Sequence, residues 1–274
     1  AIERRHPMET GGVPIETLID FGTILWKVSK HTHAESSQKN NRHHTHKPRH
    51  FTTKEVVREI IKPLCRGIGK SGCSLLQLLQ MPQAAEGSLK EYKFKRQQEI
   101  DAHPEDAELV ARNQALIKYL KLPKYTCEPR RATVFVSHAW NNKLNEVIES
   151  VAHFEKTKNK DSMRKRDKKL YFWIDIFCVN QFRPLVSPRR CPDKLWFERI
   201  FPDFLKTINL TLVILLPWDK PVVLTRSWCI YEIIASRQKK ARVSFQYEPR
   251  RQEKFLRMLD DHYDRAKNVI DDNK

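Results

Sequence analysis

The second half of the chain alternates short β-branched runs with stretches of helical spacing, and this alternation restricts the folds open to it. The most apolar run, residues 210–216, has the sequence LTLVILL. A strand of that composition is typical of the middle of a parallel sheet, where both faces are buried. Strands that alternate with helices imply a mainly parallel sheet with right-handed crossovers. The sequence therefore predicts an α/β fold, flavodoxin-like in size.

The elements of this half extend over residues 131–274, which we expect to form one α/β domain. Strands are predicted at 132–137, 170–175, 210–216 and 241–247, and helices at 144–154, 194–208, 228–239 and 250–267. If the strand order is 2-1-3-4, the first and third strands lie side by side where the order reverses. Ligands of open α/β sheets bind at that point, beyond the carboxyl ends of the strands.

Residues 1–130 are predicted to be a helical N-terminal extension. A capping box begins one helix, with Thr52 followed three residues later by Glu55, and Pro63 is expected to end or kink that helix. The sequence also predicts an apolar strand or helix at 8–30 and a His-rich loop or disordered insertion at 31–50. A charged segment follows at 83–103, mobile at first and helical further on. After it come a helix at about 104–120, with Pro104 in its first turn, and a linker at 124–131.

The sequence indicates neither a metal site nor a disulfide framework. The histidines of 31–50 lack a regular spacing and a paired cysteine or carboxylate. The 6 cysteines stand far apart without a C-x-x-C pair, which favours a reducing, cytoplasmic setting. No apolar run approaches the roughly 20 residues that span a bilayer, and no secretory signal is visible.

The segment at 227–239 carries the most informative carboxylate of the chain. Ser227 is predicted as its N-cap, because a serine hydroxyl can accept a backbone N–H of the first helical turn. At 100° per residue one face is apolar, formed by Cys229, Ile230, Ile233 and Ile234. Trp228 and Glu232 lie on the opposite side. We therefore expect Glu232 to line a cleft at the mouth of the sheet.

Polar and aromatic residues follow the first and third predicted strands. Ser137, His138 and Trp140 come after the first strand, and Trp218 comes after the third. Arg226 stands just before the helix that carries the carboxylate. Apolar walls with a few placed polar groups are typical of a small-molecule pocket. The alternatives are local roles: the serine satisfies backbone groups at a strand end, the histidine is a hydrogen-bonded rim residue, and the tryptophans pack.

Three motifs together resemble TIR (Toll/interleukin receptor) domains. They are VFVS at 134–137, WID at 173–175 and SWCIYEI at 227–233. The last is close to the Trp-Cys-x-x-Glu-Leu of plant and bacterial TIR domains, and the whole is most similar to the TIR-like "SHAW" group of unicellular eukaryotes. Asn141 and Asn142 depart from the acidic residues usual after the first strand. The loop at 176–184 also lacks the Gly-Asp often found there. Asp175, just before that loop, has a structural alternative to a role in the site, which is to cap the following turn.

The resemblance implies an activity, because the glutamate of this helix is catalytic in TIR domains that cleave NAD, and it matches Glu232. An ionised carboxylate there would hold the ribose hydroxyls and stabilise the positive charge that develops as nicotinamide leaves. Trp140 or Trp218 would stack on a ring of the nucleotide. The cations that would suit its pyrophosphate are Lys143, Lys220 and Arg226. NAD is then the substrate, its product a hydrolysed or cyclised nucleotide, and no separate cofactor is expected.

Two other functions stay open at this point. A non-enzymatic TIR-like module would act in signal transduction, by self-association or by recruiting a partner through its loops, since a fold does not determine a function. A nucleic-acid binder would use the net charge of +18, which is spread over both halves of the chain, and the basic loop at 164–169. No recognition motif for nucleic acid accompanies that charge.

Overall fold

The protein was analysed as a computed structural model, which describes residues 11–39, 50–66, 73–122, 130–161, 169–181, 196–248 and 257. Within these ranges five strands form one sheet in the order β1-β3-β2-β4-β5. The strands are β1 (Val13–Pro14), β2 (Val134–Ser137), β3 (Tyr171–Trp173), β4 (Leu210–Leu215) and β5 (Arg242–Tyr247). β2, β3, β4 and β5 run parallel, whereas β1 is antiparallel to β3. The predicted α/β class is therefore confirmed, and the four parallel strands have the order 2-1-3-4 that the sequence analysis assumed.

Helices surround the sheet and also form most of the N-terminal half. The α-helices are α1 (Ile15–Lys39), α2 (Thr53–Val56), α3 (Lys62–Cys65), α4 (Leu75–Leu79), α5 (Pro82–Ala102), α6 (Ala107–Tyr119), α7 (Leu144–Asp161), α8 (Asp175–Cys178), α9 (Phe201–Ile208) and α10 (Ser227–Gln238). Two π-helical turns, Val57–Ile61 and Trp196–Ile200, and a 3-10 turn, Val222–Thr225, connect some of them. Along the described ranges, no helix combines the length and apolar character that crossing a membrane requires.

β4 is the central strand that the apolar run predicts, and its residues from Thr211 onward are buried. Right-handed crossovers place α7 on one face of the sheet and α9 and α10 on the other. Consistent with this, α1 packs on α7, and α9 packs on α10. Aromatic side chains fill the α9 side, where the rings of Phe135 and Trp173 stack with centroids 5.0 Å apart. These contacts form the part of the core that lies between the sheet and α9.

The N-terminal helices share that core with the α/β half. Val13 of β1 pairs with Phe172 of β3, so the extension adds the edge strand of the sheet. The start of α2 is tied to the loop after β2, because the Thr53 N–H donates to the Asn142 carbonyl and the Lys54 N–H donates to the Trp140 carbonyl, each at 2.9 Å. One hydrophobic cluster includes buried residues of both halves. A domain boundary between residues 130 and 131 stays a prediction, and packing runs across it.

Pro63 does not end its helix, so the first of the two predicted effects, an end or a kink, is wrong. The π-helical turn Val57–Ile61 precedes it, and α3 continues through it. A proline has no N–H, so the Glu59 carbonyl loses the partner that an α-helix would provide four residues later. The Tyr92 hydroxyl donates to that carbonyl at 2.9 Å, and the Arg96 guanidinium donates to it at 2.7 Å. Tertiary hydrogen bonds from α5 thus stabilise a helix that local rules would interrupt.

Two segments of the N-terminal half are more helical than predicted, and a third helix begins later than predicted. α1 extends through Lys39, so residues 31–39 are helical rather than a loop, and residues 40–49 lie outside the described part. α5 is helical from Pro82 to Ala102, so the start of the segment 83–103, predicted to be mobile, is helical as well. α6 begins at Ala107, after Asp106 and not at Pro104, because the Asp106 carboxylate caps the helix by accepting the Leu109 N–H at 3.0 Å.

Helix capping was predicted correctly at one site and missed or misplaced at two others. Thr52 and Glu55 form the expected capping box. Ser74 forms a second capping box at α4, with Gln77. Ser227 is already helical, with Arg226 at the N-cap position and no side-chain cap, so the prediction for Ser227 was wrong. The predicted linker at 124–131, basic loop at 164–169 and helix at 250–267 fall largely or wholly outside the described residues.

Candidate functional site

A buried carboxyl group lies where the sheet reverses its strand order. Ser137 is the last residue of β2 and pairs with Val213 of the adjacent β4. Its hydroxyl donates to the Glu232 carboxyl group on α10, with Oγ and Oε2 only 2.5 Å apart. Glu232 is 6% exposed and Ser137 is 1% exposed. The structure therefore brings together two predicted site residues that are 95 positions apart in the sequence.

α10 is rotated relative to the predicted face, and this corrects the expectation of an open carboxylate. Cys229 and Glu232 face the interior, whereas Ile230 and Ile234 are 39% and 49% exposed. The residues of the inner face include Ala235 and Ser236, which are small enough to let the helix approach the sheet closely. The Ser137 hydroxyl stabilises this orientation, because a buried carboxyl group without a hydrogen-bond donor would destabilise the fold.

The backbone of α10 is anchored to the central strand at the next turn. Ser236 Oγ donates to the Glu232 carbonyl at 2.7 Å, and it lies 2.7 Å from Thr211 Oγ1 of β4. Both hydroxyl residues are fully buried. This pair holds the carboxyl-bearing turn at a defined depth against the sheet.

Burial raises the pKa of Glu232 from its ordinary value of 4.5 to about 8, and the negative charge of Asp175 acts in the same direction. Hydrogen bonds from Ser137 and Trp228, together with the charge of Arg226, act to lower that pKa. Burial has the larger effect. The Glu232 carboxyl group is therefore protonated at neutral pH, rather than ionised as the sequence analysis expected.

His138 lies beside this pair and is also buried. Its Nε2 atom has no hydrogen-bond partner among the described residues and lies 3.9 Å from Asp175 Oδ1. Burial lowers the pKa of His138, and the nearby charge of Asp175 only partly opposes this effect. The imidazole ring is therefore neutral at pH 7. The alternative of a hydrogen-bonded rim residue does not describe its Nε2 atom.

Trp140 joins the site through its polar atom rather than through its ring face. The indole Nε1–H donates to Asp175 Oδ2 at 2.7 Å. Asp175 Oδ1 accepts the Ile176 N–H at 2.7 Å, so the carboxylate also caps the turn that follows β3, as its alternative role predicted. The Asp175 side chain is 32% exposed. The position of Asp175 at the carboxyl end of a parallel strand is the sequence signal for its place in the site.

Of the remaining predicted residues, Trp228 and Arg226 act on this cluster, and Trp218 lies in the loop after the adjacent strand. The ring of Trp228 packs against the rings of Phe201 and Tyr231, with centroids 5.6 Å and 5.7 Å away. Its indole N–H donates a hydrogen bond to the Glu232 carboxyl group. Trp218 is half-buried in the turn that follows β4. Arg226 precedes α10 and lies close enough for its charge to lower the pKa of both the buried carboxyl group and the buried imidazole.

Cys229 contacts the same cluster but is not an activated nucleophile. Its thiol donates to the His138 carbonyl, with a sulfur–oxygen distance of 3.6 Å. Burial raises the pKa of Cys229 to about 11, and the adjacent carboxyl group of Glu232 contributes to that increase. A thiol with that pKa stays protonated at neutral pH. Over the described ranges, no group of three or more His, Cys, Asp or Glu residues is placed to hold a metal ion.

Comparison of the chain with protein-family models, with curated proteins and with solved structures found no match. The site offers a protonated carboxyl group, a neutral imidazole and a half-buried carboxylate within one cluster at the carboxyl edge of the sheet.

Proposed function

We propose that this protein is a TIR-like enzyme that cleaves the N-glycosidic bond of NAD, with Glu232 as the catalytic carboxyl group. The observation that carries the proposal is the buried Ser137–Glu232 hydrogen bond at the point where the strand order reverses. Clefts at that point are the usual ligand sites of open α/β sheets. A carboxyl group with a strongly perturbed pKa in such a place is a candidate catalytic group.

The electrostatics of Glu232 suit a cationic substrate. The nicotinamide ring of NAD carries a positive charge, and an oxocarbenium-like ribose forms as it departs. A cation next to a buried carboxyl group favours ionisation, because the attraction offsets the cost of burying the negative charge. Glu232 would then lose its proton only when the substrate occupies the site. Its negative charge would be strongest at the stage where positive charge develops on the ribose.

Other residues of the cluster would hold the nucleotide. Arg226 is the cation nearest to the buried pair in electrostatic terms and would face the pyrophosphate. Trp140 and Trp218 are half-buried, so each keeps an exposed surface on which a ring could stack. Ser137 would keep the Glu232 side chain in one orientation.

The test is nicotinamide release from NAD by the purified protein at high concentration, with a crowding agent present. The variants are Glu232→Gln and Glu232→Ala, and the matched control is Arg237→Gln on the exposed side of the same helix. We expect release by the wild type and the control, and its loss in both Glu232 variants. Release that survives both substitutions would exclude Glu232 as the catalytic group.

A second candidate function is a TIR-like module that self-associates without turnover. It is favoured by the apolar surface of α10, where Ile230 and Ile234 lie one turn apart and are 39% and 49% exposed. Sedimentation velocity should then show an assembly that Ile230→Asp together with Ile234→Asp dissolves. The control Phe94→Ser, at a residue 63% exposed on α5, should leave the assembly intact. A wild type that is monomeric at all concentrations would exclude this alternative.

A further inference from the structure

The Nε2 atom of His138 is a buried polar atom that has no part in the roles proposed for Glu232, Ser137 and Arg226. The side chain of His138 is only 2% exposed, and no described residue bonds to Nε2. A buried polar atom left in this way costs stability and calls for an explanation. Its neighbour is Asp175 Oδ1 at 3.9 Å, a distance too long for a hydrogen bond.

The hydrogen bond between the His138 side chain and the Val136 backbone shows which ring nitrogen carries the proton of the neutral imidazole. The His138 side chain hydrogen-bonds to the backbone of Val136, and the carbonyl there can only accept. Because Nε2 is unbonded, the nitrogen in that contact is Nδ1, and Nδ1 carries the proton. Nε2 therefore has an available lone pair. The imidazole ring is oriented as a proton acceptor.

Two charged groups act on this ring from the elements around it, Asp175 at the start of α8 and Arg226 before α10. The same two groups act on the Glu232 carboxyl group of α10, so the ring and this carboxyl group share their charged neighbours. Burial acts on the two titratable groups in opposite ways. It keeps the Glu232 carboxyl group protonated and the His138 imidazole unprotonated at the same pH. Paired groups whose environments separate their pKa values in this way often divide acid and base roles between them.

We propose that His138 Nε2 is the base that activates water in NAD cleavage, an inference that rests on the proposed function. The bond between C1′ of the ribose and the nicotinamide nitrogen breaks, and its electron pair neutralises the positive ring. A water oxygen forms the new bond to C1′, while one proton of that water passes to His138 Nε2. The products are nicotinamide, ADP-ribose and a protonated imidazole, which returns its proton to solvent. The negative charge of Asp175, with Oδ1 3.9 Å from Nε2, stabilises that imidazolium.

The test compares two reactions that share the bond cleavage but differ in the acceptor. Hydrolysis needs a base to take a proton from water, whereas exchange of nicotinamide for another pyridine needs none, because the pyridine nitrogen attacks through its lone pair. The variant is His138→Asn, since the asparagine amide can still donate to the Val136 carbonyl but has no atom in place of Nε2. Loss of a general base typically costs about 100-fold or more in rate.

We expect His138→Asn to lose about 100-fold in hydrolysis and to keep pyridine exchange within about threefold of the wild type. Exchange also reports that the variant is folded and that Glu232 still acts. Equal losses in both reactions, or unchanged hydrolysis, would overturn the assignment of His138 alone. A wild type that releases no nicotinamide in either reaction would instead overturn the proposed function and this assignment with it.

A second measurement uses only the wild type, so it does not depend on the folding of a variant. Hydrolysis should fall as the pH drops below the lowered pKa of His138, because the protonated ring cannot accept a proton. Pyridine exchange should not follow that fall. Parallel pH profiles for the two reactions would contradict the role of His138.

Discussion

Replacing Glu232 with glutamine should stabilise the protein at neutral pH while it abolishes the proposed activity. In the folded state the pKa of this carboxyl group is about 8, and the ordinary value is 4.5. The folded protein therefore keeps a proton on Glu232 at pH values where the unfolded chain has lost it. The free energy of unfolding must then fall as the pH rises from 4.5 towards 8, and this group adds no further change above pH 8.

The size of the effect follows from the displacement of the pKa. Each unit is worth about 1.4 kcal/mol, so the wild type loses about 3 kcal/mol between pH 4.5 and pH 7 through this one group. Because Glu232 is only 6% exposed, solvent screening reduces this free-energy difference little. Glutamine cannot ionise, and its amide oxygen can still accept the Ser137 hydroxyl. We expect Glu232→Gln to match the wild type near pH 4.5 and to exceed its stability by about 3 kcal/mol at pH 7.

The measurement is urea unfolding of both proteins at pH 4.5, 6, 7 and 8, read as the difference between the two free energies. Taking the difference removes the contributions of the other titrating groups. The control is Glu86→Gln on α5, at a side chain 68% exposed, which should shift stability by only a few tenths of a kcal/mol at every pH. A difference between Glu232→Gln and the wild type that does not change with pH would show that Glu232 has an ordinary pKa.

The remaining predictions concern the supports of the site and of the fold. Ser137→Ala removes a hydrogen bond that lowers the pKa of Glu232, so the upper limit of the pH-dependent range should move above pH 8; a downward shift in the same urea titration would contradict this role. Gly12→Ala would place a Cβ atom 2.8 Å from the Tyr171 Cβ, and differential scanning calorimetry should report a lower Tm, for a loss of about 1–3 kcal/mol. Thr52→Ala removes the capping box of α2 and should cost about 1 kcal/mol in urea unfolding, whereas an unchanged midpoint would mean that packing alone begins that helix.

The four parallel strands, and the central place of one of them, could be predicted because each strand has its own local pattern. The run at 210–216 is apolar on both faces, and only a central strand tolerates that. β1 could not be found in the same way, since two residues are too short to show a period. Its pairing with β3 depends on a segment that lies more than 150 residues away in the sequence.

The orientation of α10 shows why the site was only partly predictable. Apolar residues occur around most of this helix, so the sequence pattern barely distinguishes its faces. The decisive contact is the hydrogen bond from Ser137, which the local sequence of α10 does not contain. The positions of the strand ends predicted which residues lie near Glu232. The burial of Glu232, and hence its protonation, depends on the tertiary contact with Ser137 and could not be predicted. The same holds for Pro63, whose helix continues because α5 supplies the missing donors.

The shared core of the two halves has a consequence for how the chain can be divided. A fragment beginning at residue 131 would lose the partner of β3 and leave the Phe172 backbone at an open strand edge. It would also lose α1, which packs on α7. Open edges with an apolar face recruit other chains, so such a fragment would associate with itself rather than stay a monomer. The same complementarity means that pieces 1–130 and 131–274, made separately and mixed, should recognise each other and reassemble.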